Sequence, residues 1–127
     1  MILLSLASAM LVPPTEAVEA LHEEPGYGRQ MTIAEIERDL VGNSLVWGET
    51  GARRIRHIAP DGTFVGGSPG LRWHLRDYDN LFCVDSGDPA TSGCVQLLRS
   101  ADRITLRRKD GLIELTADLE AGNALHR

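Results

Sequence analysis

The residues of this chain that could do acid–base chemistry are a small set of histidines and aspartates. His57 and His74 lie in strand-like stretches, and Asp77 closely follows His74. An imidazole beside a carboxylate can act as a general acid or base if both groups reach one substrate position. A small enzyme that uses His57, His74 and Asp77 is therefore one hypothesis, and polar residues on the rim of a non-catalytic fold are the competing interpretation.

No sequence motif supports metal or nucleophilic chemistry. HExxH and CxxC spacings, which are typical of zinc sites, do not occur. Residues 66–70, GGSPG, match GxSxG around Ser68, but a strand-like stretch follows instead of a helix, so the strand–turn–helix context of a catalytic serine is missing. Asp85 and Asp88 flank Gly87, but their spacing does not match a calcium-binding EF-hand loop. The sequence therefore predicts no catalytic residue beyond the hypothesis above, no metal and no cofactor.

Arginine is the most prominent polar residue type in the strand-like part of the chain. If several arginines share one face, they could bind an anionic ligand or partner; a solvated outer surface is the alternative. Tryptophans near such a site would suit an apolar pocket, although core packing is the other interpretation. The candidate ligand-binding or anion-binding residues are Trp47, Arg54, Arg56, Arg72, Trp73, His74 and Arg76.

The two cysteines predict one disulfide. Cys83 and Cys94 each lie in an apolar, strand-like run, and the residues between them are rich in turn formers. A hairpin that pairs Cys83 with Cys94 also places Phe82 near Val95, with the cysteine Cα atoms about 4.4–6.8 Å apart. A bridge of this kind is typical of proteins outside the cytosol.

Residues 1–20 have the pattern of a secretory signal peptide. An apolar run is followed by small residues that end at Ala20, although no basic residue precedes the run. The run is shorter than the roughly 20 apolar residues that cross a bilayer. We expect cleavage, a periplasmic or secreted protein and no stable membrane span afterwards; retention as an N-terminal anchor is the alternative.

Length and charge limit the class of protein further. The 127 residues suit one folded domain, and the net charge of −5 argues against nucleic-acid binding. Acidic residues exceed arginines in residues 21–51, whereas basic residues exceed acidic ones in residues 52–117. The two regions therefore differ in their electrostatic character.

One helix is predicted near the start of the mature chain. Residues 21–30 contain proline and glycine and are predicted to form a flexible arm. Thr32 and Glu35 then form a capping box, and apolar residues follow at helical spacing until Gly42. This short amphipathic helix must pack against a larger element.

After the helix, the pattern indicates about eight short strands that are separated by turn residues. Such a chain favours a small up-and-down, calycin-like β-barrel, and a β-sandwich is the alternative. We expect a barrel domain over residues 31–117, with the helix covering one end, and a polar tail over residues 118–127. In the last hairpin we expect Leu106 opposite Leu115 and Arg107 opposite Glu114.

Several phrases of the chain resemble a family of small exported bacterial barrel proteins of unknown function. They are a short helix followed by LVGNSL, and then IAPDGTFVG, LRWHL, LFCV, GCVQLL and ITLRRKDGL. The chain is also distantly similar to exported metalloprotease-inhibitor barrels, which implies a protease inhibitor as an alternative function. The sequence thus predicts an exported, non-enzymatic barrel that binds a small ligand or a partner protein of the cell envelope.

Overall fold

The computed structural model describes residues 21–49 and 51–126. The predicted signal peptide, residues 1–20, lies outside the described residues. The described part of the chain is mainly β, with one α-helix. Its strands, in chain order, are β1 (Glu23–Glu24), β2 (Gly28–Gln30), β3 (Ser44–Trp47), β4 (Arg54–Ile58), β5 (Phe64–Val65), β6 (Arg72–Arg76), β7 (Leu81–Asp85), β8 (Gly93–Ser100), β9 (Arg103–Arg107) and β10 (Ile113–Glu120).

The helix α1 spans Ile33–Asp39 and begins with the predicted capping box. The Glu35 N–H donates to the Thr32 hydroxyl at 3.1 Å, and the Thr32 N–H donates to the Glu35 carboxylate at 2.9 Å. These bonds satisfy backbone donors that the first helical turn leaves unpaired. Ile36 and Leu40 are completely buried, so the apolar face of α1 is held against the sheet.

The ten strands form one antiparallel sheet. Consecutive strands from β3 to β10 are neighbours, and β10 returns to pair with β3. Between β5 and β6 there is a single bridge, with Thr63 opposite Arg72, rather than a continuous ladder. Across this β5–β6 seam, the Phe64 N–H donates to the Leu71 carbonyl at 3.0 Å. The strand ladders alone therefore do not close the sheet into a barrel.

One face of the sheet, here called the core face, carries the hydrophobic core. Side chains alternate between the two faces of a strand, and directly opposite residues share a face. The core combines this face with α1, and its buried members are Met31, Ile36, Leu40, Leu45, Ile58, Phe82, Val95, Leu97, Ile104 and Ala117. We call the other face of the sheet the outer face.

The order of the strands defines two ends of the sheet. Because neighbouring strands are antiparallel, alternate connections meet at the same end. Helix α1 precedes β3 and lies at one end, where the Gly42 N–H donates to the Ile58 carbonyl at 2.7 Å. The β3–β4, β5–β6, β7–β8 and β9–β10 connections lie at the opposite end, which we call the loop end.

Residues 21–30 form a hairpin of β1 and β2 instead of the flexible arm that the sequence predicts. Strand β2 pairs with β8, with Arg29 opposite Arg99. Gly28 makes this approach possible: its φ is +104°, and a Cβ atom there would lie 2.0 Å from the Arg99 carbonyl oxygen. The glycine that indicates a loose segment in the sequence is thus required for close backbone contact.

The predicted polar tail is also part of the fold. Strand β10 continues to Glu120 and pairs with β3, and a 3₁₀ turn, Ala124–His126, follows it. The Ser44 hydroxyl donates to the Gly122 carbonyl at 2.7 Å and accepts the Ala124 N–H at 3.0 Å. Polar composition suggested a tail, but the buried Ser44 gives these backbone groups partners.

The last hairpin follows the predicted register only in part. Leu106 lies opposite Leu115 as predicted, but Arg107 lies opposite Ile113 because the register shifts between Ile113 and Leu115. Glu114 falls in this irregularity and does not pair with Arg107. The Arg107 guanidinium instead donates to Gln96 Oε1 at 2.7 Å.

Candidate functional site

The core face opens at the loop end into a cavity of about 580 Å³. Its apolar wall combines residues from four strands: Phe64, Phe82, Val84, Val95 and Leu106. Residues 90–94, Arg108 and Glu114 complete the lining. The cavity thus has an apolar wall continuous with the core and a polar rim, which is the usual composition of a small-molecule site.

Aromatic rings build part of the cavity wall and its immediate support. The rings of Phe64 and Phe82 meet edge to face, with centroids 5.7 Å apart. Trp73 stacks against Phe82 at 6.1 Å, and its indole N–H donates to the Ala59 carbonyl at 2.8 Å. This hydrogen bond and the stacking fix the orientation of Trp73, so the predicted site residue Trp73 supports the wall from within the core.

A second cluster lies on the same face of β3 and β4 and consists of Trp47, Arg54 and Arg56. Trp47 is directly opposite Arg54, and Arg56 is opposite the buried core residue Leu45. The Arg56 guanidinium lies over the Trp47 ring, 5.2 Å from its centroid. We call this group the Arg54–Arg56–Trp47 cluster.

The loop between β5 and β6 holds the Arg56 guanidinium in place. Arg56 Nη1 donates to the carbonyl oxygens of Ile55 at 3.0 Å and Gly66 at 3.1 Å. A Cβ atom at Gly67 would lie 2.8 Å from Arg56 Nε and 2.9 Å from Cζ. The guanidinium is therefore packed between the indole of Trp47 and the backbone of Gly67, a position that only glycine allows without displacement.

The charge of this cluster has no counterion among the described residues. No carboxylate lies within ion-pair distance of Arg54 or Arg56 in residues 21–49 and 51–126. Burial, and then repulsion from Arg54, lower the pKa of Arg56 below its usual value. An anion bound here would replace the missing counterion and reduce the repulsion between the two arginines.

The structure separates the other predicted binding residues from this cluster. Arg72, His74 and Arg76 alternate with the core-face residues Trp73 and Leu75 and so lie on the outer face of β6. Arg76 pairs with Asp79, and its guanidinium also lies over the Tyr78 ring at 5.1 Å. Of the seven candidates, Trp47, Arg54 and Arg56 form a cluster whose positive charge has no partner within residues 21–49 and 51–126.

The three residues of the acid–base hypothesis do not contact one another. His57 is buried on the outer face, where its Nδ1 lies 3.2 Å from the Ser44 hydroxyl. His74 is exposed and lies opposite Cys83, and Asp77 begins the 3₁₀ turn Asp77–Asp79. No hydrogen bond or ion pair in the described part of the chain joins any two of these three side chains.

The disulfide joins Cys83 and Cys94, as predicted, with a Cα–Cα distance of 3.9 Å, which is below the expected range. Phe82 lies opposite Val95, also as predicted. The bridge is on the outer face of the β7–β8 hairpin, whereas Phe82 and Val84 on the other face line the cavity. It therefore supports one wall of the cavity from behind.

Sequence reasoning did not single out several cavity residues. The sequence indicates no binding role for Phe64 or Val84, because each lies in an ordinary strand-like stretch, and it predicts Glu114 only as a partner of Arg107. Alternation along β7 indicates that Phe82 and Val84 share a face. It does not indicate that strands distant in sequence leave space between them.

The described residues contain neither a metal-binding cluster nor a membrane-spanning helix. No group of three or more His, Cys, Asp and Glu side chains in residues 21–49 and 51–126 is arranged to hold a metal ion. Within the same residues, no helix has the length and apolar character needed to cross a membrane.

Comparison with known proteins adds no assignment. No protein-family model matches the chain, and neither does any curated protein or solved structure. The function is therefore argued from the cavity and the cluster beside it.

Proposed function

We propose that this protein is an exported, non-enzymatic β-barrel that binds a small ligand in the cavity at its loop end. The main evidence for this function is the cavity of about 580 Å³ with an apolar wall. Its size is within the range of roughly 300–1,000 Å³ that small-molecule sites occupy. Binding there would bury apolar ligand surface that water otherwise contacts, at about 25 cal/mol per Å² before the costs of association.

The barrel itself is part of the proposal. Each of β3 to β10 neighbours the next, β10 pairs with β3, and the Thr63–Arg72 bridge joins β5 to β6. Hydrogen bonds from Phe64 to Leu71 and from Trp73 to Gly62 support closure at this seam. A closed barrel explains why a cavity forms at the end opposite α1, since the helix covers only one opening.

Export is supported by two independent features. The Cys83–Cys94 disulfide is of the kind that persists outside the reducing cytosol. Residues 1–20 have the composition of a signal peptide. A periplasmic or secreted ligand-binding protein agrees with both.

The test of this function uses a neutral apolar dye, N-phenyl-1-naphthylamine, whose fluorescence rises in an apolar site. We expect saturable binding to the disulfide-intact protein, and loss of that binding in Val84→Trp, which places an indole in the cavity. Val65→Trp is the matched control, because Val65 is exposed on the outer face of β5. Thermal unfolding checks that each variant is folded.

If Val84→Trp fails to fold, Leu106→Phe is the second variant, because Leu106 lines the cavity from a different strand, β9. Absence of saturable dye binding to the wild-type protein would contradict the proposed function. Equal binding by Val65→Trp and a folded cavity variant would contradict the location.

A further inference from the structure

We propose that the ligand is an anionic amphiphile, with its apolar body in the cavity and its anionic group on Arg54 and Arg56. This inference rests on the proposed ligand-binding function and adds the chemical class of the ligand. A carboxylate or phosphate at the end of an alkyl chain has the required chemistry.

The Arg54–Arg56–Trp47 cluster is placed beside the cavity by the register of β4 and β5. Phe64, a cavity residue, lies opposite Ile58, and both point to the core face. One step further toward the loop end on that face, Arg56 contacts the Gly66 carbonyl at 3.1 Å. Arg56 is thus the next core-face residue after Ile58 on β4. Phe64, which belongs to the apolar wall, is on the adjacent strand β5, so the two side chains are about one strand spacing apart.

Strand β4, which pairs with the cavity residue Phe64, changes from apolar to cationic side chains along its core face. On β4, the core-face positions from the helix end to the loop end are Ile58, Arg56 and Arg54, which are buried, half-buried and exposed. Ile58 is fully buried, so the apolar surface open to a ligand is that of Phe64 beside it, and the guanidinium groups lie nearer the opening. This order matches a molecule with an apolar body and a charged end.

The guanidinium groups retain donors that a ligand could use. Arg56 Nη1 is used by two backbone carbonyls, but Arg56 Nε and Nη2 have no hydrogen-bond partner among the described residues, and neither does Arg54. Trp47 beneath Arg56 limits the water that can reach one side of its guanidinium. Charge-assisted hydrogen bonds from a partly desolvated guanidinium are the strong kind.

The opposite rim of the cavity does not offer the same site. Arg108 is paired with Asp110 at 2.9 Å, so its charge is already compensated. Glu114, which also lines the cavity, is an acidic residue and does not favour an anion there. The distribution of charge therefore directs an anionic group to the side of Arg54 and Arg56.

The experiment compares ligands that differ only in charge. Dodecanoate, dodecyl phosphate and neutral dodecan-1-ol are titrated as competitors of bound N-phenyl-1-naphthylamine at low salt, below their micellar concentrations. We expect at least one of the two anions to bind about tenfold or more tightly than the alcohol, because charge-assisted hydrogen bonds contribute that much. Comparison of the affinities for dodecanoate and dodecyl phosphate shows whether the site prefers a carboxylate or a phosphate.

The double variant Arg54→Gln/Arg56→Gln should lose this preference and keep its affinity for dodecan-1-ol and for the dye. Arg72→Gln/Arg103→Gln is the matched control, since it removes the same charge from the outer face, where neither arginine has an ion pair among the described residues. The control should retain the wild-type preference. If both double variants lose the preference for the anions, the preference depends on net charge alone. That result would contradict an anion site at Arg54 and Arg56.

A second variant changes the position of the Arg56 guanidinium without removing its charge. Gly67→Ala places a methyl group within 3.0 Å of the guanidinium and should displace it, which weakens binding of the anion but not of the alcohol. Val65→Ile is the control, because it adds one methyl group to the same segment on the exposed outer face, away from the cavity and from Arg56. Dye binding with equal affinities for anions and alcohol would overturn this inference alone, whereas absence of dye binding would overturn the proposed function.

Discussion

At the scale of single residues, arginines in this protein occupy two kinds of environment. Arg99 joins β8 to α1 through Asp39, with Nη1 and Oδ2 2.7 Å apart, and Arg53 pairs with Glu120. Arg54 and Arg56 have no such partner among the described residues, although Arg56 is half-buried. A paired arginine is explained by the fold that it supports. For an arginine that lacks a partner among the described residues and is packed against a tryptophan, we propose a bound anion as the explanation.

Asp39 allows a test of electrostatics at this scale. Hydrogen bonds from Arg38, together with those from Arg99, lower the pKa of Asp39 from 3.8 to about 2. Between about pH 2 and pH 4, the Asp39 carboxyl therefore binds a proton more readily in the unfolded chain than in the folded chain. The stabilisation by Asp39 is therefore present above pH 4 and is lost as the pH falls from about 4 to about 2.

We expect Asp39→Asn to lower the free energy of unfolding at pH 7 and to reduce its dependence on pH between 4 and 2. Urea unfolding at a series of pH values measures both effects. Glu37→Gln is the control on the same helix, since Glu37 is exposed and has no ion pair among the described residues. An Asp39→Asn variant with the wild-type slope would show that the contacts of Asp39 with Arg38 and Arg99 do not link folding to pH.

At the scale of elements, the β7–β8 hairpin combines the features on which the proposed site depends. Its core-face residues Phe82, Val84 and Val95 line the cavity, and its outer face carries the disulfide. The loop that follows β7 is also held internally, since the Ser92 hydroxyl accepts the Ser86 N–H at 3.0 Å and donates to Asp85 at 3.1 Å. The hairpin therefore has two independent restraints, one covalent and one by hydrogen bonds.

Removal of the covalent restraint should destabilise the protein without changing its fold. Closing a loop of this length is expected to contribute up to about 3 kcal/mol in the chain-entropy model. We expect Cys83→Ser/Cys94→Ser to lower the melting temperature and to increase proteolysis first in residues 86–92. Reduction of the wild-type protein should have the same effect. Two free thiols in the unreduced mature protein would refute the bridge, and an unchanged melting temperature would refute its contribution.

At the scale of the whole molecule, the β5–β6 seam decides how the strands enclose the cavity. Elsewhere from β3 to β10, neighbouring strands share ladders, whereas the seam has one bridge at Thr63 and Arg72. Strand β5 has only two residues, and the glycine-rich loop that follows it contacts Arg56. The weakest part of the sheet thus lies next to the proposed anion site.

Hydrogen exchange tests closure of the seam directly. The amides of Phe64 and Trp73 donate across it, at 3.0 and 2.9 Å. In a closed barrel we expect these two amides to exchange nearly as slowly as amides in the β8–β9 ladder, because both sets require opening of the sheet. Exchange as fast as that of the exposed Lys109 amide, which has no hydrogen-bond partner among the described residues, would favour an open sheet or a sandwich. Exchange is measured residue by residue by NMR spectroscopy.

The sequence by itself determined the features that depend on neighbouring residues. The capping box of Thr32 and Glu35, the strands that follow Gly42 and the pairing of Cys83 with Cys94 were all predictable. In each case the signal and the structure lie within a few residues of each other, or within one hairpin. Backbone hydrogen bonding and side-chain alternation therefore act on the same short segment that carries the signal.

Only the tertiary structure decided which residues share an environment. Arg54, Arg56 and Arg72 look equivalent in the sequence, but pairing between strands places the first two on the core face and the third on the outer face. The β1–β2 hairpin likewise depends on contact between Gly28 and a strand that begins 65 residues later. The cavity depends on four strands at once. These features arise from the packing of distant segments, whose free energy no local pattern encodes.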